Sequence, residues 1–146
     1  MRRMSEYFTG GLLLALLVFR MATANAMQIP QYDTMGAKDE GRYVALLLKG
    51  AHQGLEAHGQ TKQDKQLLAL FTDNSPQGGA AQFEQNLQVA RLLNSKNAAD
   101  PNNKQPPYEV ENAMAVTLKD NGITVPASFL LTIKNDFKPA SSPSKP

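Results

Sequence analysis

Between Tyr43 and Leu55 apolar side chains return at helical spacing, and no other feature restricts the possible fold as much. Tyr43, Leu47 and Ala51 recur every four residues, with Val44, Leu48 and Leu55 beside them. A helix over Lys38–Ala57 would therefore carry one apolar face. His58 and Gly59 suit its last turn and cap. Gly50 and Gly54 lie one turn apart inside it, where each glycine costs about 1 kcal/mol relative to alanine. The expected compensation is close approach of another backbone.

The same period returns downstream. A second helix is expected over Thr61–Phe71, opened by a shortened capping box, T-K-Q-D, at Thr61–Asp64. Its expected buried set is Leu67, Leu68, Leu70 and Phe71. The turn-rich run Asp73–Gly79 leads into a third helix over Ala80–Leu93, with Phe83, Leu87, Ala90 and Leu93 on one stripe. A fourth begins at Pro107 or Tyr108, with Glu109 and Glu111 in a first turn whose dipole favours acids. Val110, Ala113, Met114 and Leu118 form its apolar face, and Asn121-Gly122 ends it with Ile123 placed for a Schellman contact. Phe129, Leu130, Ile133 and Phe137 give a last helical stripe. Ile123–Val125 is strand-like but has no partner run. The leader Met27–Asp33 is expected to be extended, with Pro30 holding it out of a helix. The expectation is a single small all-α domain of four to five helices over residues 27–137, with a disordered tail over 138–146.

Ahead of that domain stands an export pattern. Arg2 and Arg3 precede the apolar run Leu12–Phe19, and Ala24-Asn25-Ala26 supplies the small-x-small sequence that a signal peptidase accepts. The apolar run is far shorter than the roughly 20 residues that span a bilayer, which argues against a permanent anchor. Cleavage after Ala26 is expected to leave a chain that starts at Met27, with no membrane span in it. Residues 1–26 hold three of the 15 basic groups and one of the 13 acidic groups, so 12 of each remain. Without net charge or a basic cluster, nucleic acid is not an expected partner. There is no cysteine and no Asn-x-Ser/Thr acceptor, which for an exported chain points to a bacterial periplasmic or secreted protein. Thiol chemistry and thiolate metal sites are excluded.

Few residues invite a chemical reading. His52, Glu56 and His58 are candidate metal ligands near the end of the first helix, but six helical residues separate the histidines by about 240°, so a tight three-ligand site is strained. The competing explanation is a solvated helix end with His58 facing the carbonyl dipole. Glu109 and Glu111, two apart on a helix, point in different directions and do not pair as an acid–base couple. No hydrolase, zinc or phosphate-loop motif is present, and neither catalysis nor a cofactor is expected. For partner binding the candidates are Tyr32 and Tyr108, tyrosine being favoured at interfaces, while Tyr43 belongs to the core stripe. Asn97, Asn102 and Asn103 join them from the polar stretch Asn94–Pro107, long for a loop in a compact domain.

The export segment, the run G-R-Y-V-A-L-L-L-K-G-A at Gly41–Ala51 and the late helix E-N-A-M-A-V-T-L-K at Glu111–Lys119 resemble the small helical periplasmic immunity proteins that neutralise cell-wall amidases delivered by type VI secretion. The resemblance implies binding of another envelope or secreted protein, as immunity protein or inhibitor, and it carries over no functional residue. The alternative expectation is a small periplasmic enzyme or metal-binding protein built on His52, Glu56 and His58.

Overall fold

The computed structural model describes residues 26–125 and 129–130. Most of the export segment, Ala24 included, lies outside these residues, as do Ile133, Phe137 and the tail 138–146. Five helices form among the described residues: α1 (Ile29–Asp33), α2 (Ala37–Ala57), α3 (Thr61–Thr72), α4 (Gly79–Ala98) and α5 (Val110–Asp120). Phe129 and Leu130 are helical as well. The domain is all-α, and its one extended pairing among these residues is an isolated bridge between Gln28 and Glu109.

The core is organised around α5, whose residues from Val110 to Leu118 are all buried. A helix covered on every side must satisfy its polar groups internally. Glu109 caps the helix in a reciprocal box with Asn112, whose Oδ1 accepts the Glu109 N–H at 2.7 Å. Thr117 donates to the Ala113 carbonyl at 2.8 Å and accepts from Asn86 of α4 at 2.7 Å. Around α5, α2 packs on α3, α3 on α4, and α4 on α5. The apolar stripe of α2 behaves as its spacing predicts: Tyr43, Leu47 and Ala51 are fully buried.

The helix ends show which local signals were decisive. After α2, Gly59 takes a φ of +69°, and the Gln60 N–H reaches the Leu55 carbonyl at 2.8 Å. After α5, Gly122 takes +78°, the Ile123 N–H reaches Leu118 at 2.9 Å, and Ile123 is buried as a Schellman contact requires. The start of α3 differs from expectation. Gln60 is its N-cap with no side-chain hydrogen bond, Thr61 is already helical, and the Asp64 carboxylate is engaged elsewhere.

Four other expectations are corrected. The leader is not extended: α1 forms with Pro30 in its first turn, where the missing N–H has no intrahelical acceptor to satisfy. The third helix continues five residues beyond Leu93, so Asn94–Ala98 belong to α4 and the loop is shorter. The following helix begins at Val110, after Tyr108 and the Glu109 cap. In α3 only Leu67 is buried, and Leu68 is 67 % exposed. Adjacent helical residues diverge by about 100°, and α3, covered on one side only, turns Leu67 to the core and Leu68 away from it.

Gly54 is buried for the reason its position suggested, though the neighbour differs. An ideal Cβ there would lie 2.6 Å from Cγ and 2.9 Å from Cε2 of Phe129, so an aromatic ring approaches where a backbone was expected.

Candidate functional site

Tyr32 and Tyr108 are not available as partner contacts, being 4 % and 2 % exposed. Because α1 is helical, Tyr32 turns inward, its ring edge-on to Tyr43 and to Phe83 with centroids 6.4 Å apart in each case. Burial raises its pKa above the ordinary tyrosine range, with Glu40 adding to the effect. Tyr108 is held by its backbone. Asn94 donates to the Tyr108 carbonyl at 3.0 Å and accepts the Tyr108 N–H at 2.7 Å, which fastens the loop to α4.

The asparagine candidates lie on one edge of the domain, at the end of α4 and the loop that follows. Asn97 and Asn103 line a shallow polar hollow of about 210 Å³ with Asp100 and Gln105, and Asn102 is exposed. The loop holds its own shape through Asx turns. Asp100 accepts the Asn102 N–H at 2.9 Å, and the Asn103 side chain accepts the Gln105 N–H at 3.0 Å. Beside it Arg91 of α4 donates twice to Asp33 of α1, at 2.9 and 2.7 Å, and that hydrogen bonding holds the guanidinium firmly charged.

The His52, Glu56 and His58 set is drawn apart. His52 Nδ1 lies 2.7 Å from an Asp64 oxygen across the α2–α3 turn, and Nε2 is 3.7 Å from Glu56. The hydrogen bond to Asp64, then its charge, raises the His52 pKa above its usual value. His58 instead packs against Phe129, with ring centroids 5.3 Å apart. No group of three metal-ligating side chains converges among the described residues.

No known protein family, curated protein or solved structure matches this chain. The geometry of the described residues is what bears on function.

That geometry singles out a groove between α2 and α3 that periodicity did not reveal. Leu48, Leu67, Leu68 and Phe71 line an opening of about 490 Å³, and Leu68 stands out as one of two large apolar side chains that are mostly exposed among the described residues. Lys49 and Lys65 sit on its rim, both exposed, and no carboxylate lies within ion-pairing distance of either among the described residues. The His52–Asp64 pair closes one end. An apolar floor with a charged rim is the anatomy of a contact patch for another protein. The adjacent pair Leu67-Leu68 was the one available signal, since neighbours about 100° apart on a helix covered on one side point in different directions.

The first turn of α5 contains a different kind of feature, a buried carboxylate. Glu111 is 4 % exposed, accepts the Met27 backbone N–H at 3.0 Å, and receives the Tyr43 hydroxyl on its other oxygen. Burial, followed by the Glu111 charge, raises the Tyr43 pKa well above the ordinary range, so this hydroxyl stays a donor. Glu109 points elsewhere and accepts from Gln28 Nε2 at 2.8 Å. The two acids thus take separate structural roles, Glu109 in the local cap of α5 and on Gln28, Glu111 on Met27 and Tyr43.

Proposed function

We propose that this is an exported bacterial protein that acts by binding another protein of the cell envelope, in the manner of an immunity protein or inhibitor. The observation that carries the reading is the α2–α3 groove, with Leu68 exposed above an apolar floor and two lysines on its rim. An exposed leucine lining a groove is stabilised when a partner covers it, and the flanking ammonium groups favour a partner segment bearing an apolar anchor beside carboxylates. Such a protein needs a rigid scaffold and no chemistry of its own. The export pattern and the likeness to periplasmic immunity proteins support the same reading from the sequence.

The test combines capture with protection. Exported wild-type protein is used to capture a partner from envelope extract, and the complex is rebuilt from the two purified components. Leu68→Glu is expected to weaken binding at least tenfold, because it places a carboxylate in an apolar, acid-facing contact. Circular dichroism of the variant should be unchanged. Cells that export the wild-type chain are expected to survive a co-exported cell-wall amidase, and cells that export Leu68→Glu are expected to lyse. If triple replacement of His52, Glu56 and His58 by alanine abolishes protection while Leu68→Glu leaves it intact, the groove reading is wrong.

A further inference from the structure

The small-x-small pattern ends at Ala26, and the next nitrogen in the chain, that of Met27, is the one that meets the buried Glu111 carboxylate. We propose that cleavage after Ala26 creates an α-ammonium group at Met27 that forms a buried ion pair with Glu111 and locks the processed fold. The inference rests on the export reading above. In the cleavage step water adds across the Ala26–Met27 peptide bond. The carbonyl carbon leaves with the signal segment as a carboxylate, and the released Met27 amine takes up a proton.

The surroundings are already arranged for such a group. Met27 is 3 % exposed, Tyr43 is fully buried and Glu111 nearly so. The Met27 carbonyl accepts the Val110 N–H at 3.0 Å, and Gln28 is tied to Glu109 by its side chain, so the new terminus is pinned on both sides. The nitrogen lies 3.0 Å from Glu111 Oε1, within reach of a charge-assisted hydrogen bond once it is an ammonium. The Tyr43 hydroxyl is on Oε2 and the Met27 nitrogen on Oε1, so these two donors do not compete for one oxygen. A carboxylate held out of water is stabilised far more by a full positive charge than by a neutral amide. Burial of Ala26 in the folded chain does not obstruct the step, because a signal peptidase acts on the extended chain as it emerges from the membrane.

The experiment compares four proteins: the exported, processed chain and the full chain made without signal peptidase, each with Glu111 or with Glu111→Gln, all in the same mild detergent. Intact mass establishes the terminus, and urea unfolding gives the folding equilibrium constant. Glu111→Gln is expected to lower that constant roughly 100-fold or more in the processed chain, because it leaves a buried ammonium without its counter-charge. The loss in the full chain should be at least tenfold smaller, since a glutamine oxygen can still accept the amide N–H. Independently of any variant, the Met27 amine of native processed protein should react with an acylating reagent at least tenfold more slowly than in urea. A terminus other than Met27 would overturn both the export reading and this inference. A Met27 terminus with equal Glu111→Gln losses in the two chains, or with an amine as reactive in the native state as in urea, would overturn the ion pair and leave the export reading standing.

Discussion

A single methyl group added at Gly54 tests how α2 meets the segment that follows α5. The ideal Cβ would stand 2.6 Å from Cγ and 2.9 Å from Cε2 of the Phe129 ring, whereas carbon atoms in contact prefer about 3.5–4.0 Å. The ring must therefore withdraw by about an ångström in a packed region, and overpacking of this kind costs about 1–3 kcal/mol. Against that, alanine recovers about 1 kcal/mol of helix propensity inside α2. The net expectation for Gly54→Ala is a loss of about 1 kcal/mol. Removal of the ring changes the sign. In a Phe129→Ala background the added methyl meets no ring, and Gly54→Ala is expected to stabilise by about 1 kcal/mol through propensity alone. Urea unfolding of wild type, both single variants and the double variant yields the coupling directly, with about 1–3 kcal/mol expected. The same stabilisation in both backgrounds would refute the claim that Phe129 is the reason position 54 is glycine.

Two further perturbations probe polar contacts. The pKa of His52 is raised in the fold by Asp64, so the pair stabilises fully below the ordinary histidine value of 6.5 and loses that contribution as pH rises through the raised folded value. Asp64→Asn should therefore destabilise more at acid than at alkaline pH, and should return the His52 ring titration, followed by NMR, toward its ordinary value. Asn86 is fully buried, and its Oδ1 has no hydrogen-bond partner among the described residues, although its Nδ2 donates to Thr117. Thr117→Val alone should cost about 1–3 kcal/mol in thermal or urea unfolding by orphaning the amide. Adding Asn86→Leu should recover most of that loss, since replacing both partners with apolar groups of similar shape is nearly neutral.

Local physics made much of the fold legible. The stripe Tyr43, Leu47 and Ala51 specified α2, because a helix with one apolar face has a single way to bury it. Gly59 and Gly122 marked helix ends, because a left-handed residue that closes a Schellman turn strongly favours glycine. The candidate contacts were harder to read. Whether a leucine or tyrosine faces the core or solvent depends on which neighbours arrive from elsewhere in the chain.

By itself, then, the sequence determined that the chain is helical, where α2 and α5 end, and which residues of α2 face inward. These follow from interactions within a few residues, whose geometry the backbone repeats. Only the tertiary structure decided that Pro30 sits inside a helix and that Tyr32 and Tyr108 are covered. It alone placed Leu68 above an open groove and Met27 on Glu111, 84 residues away. These depend on how separate elements meet, and no local pattern encodes such meetings, because the energy that selects them comes from burial shared between elements.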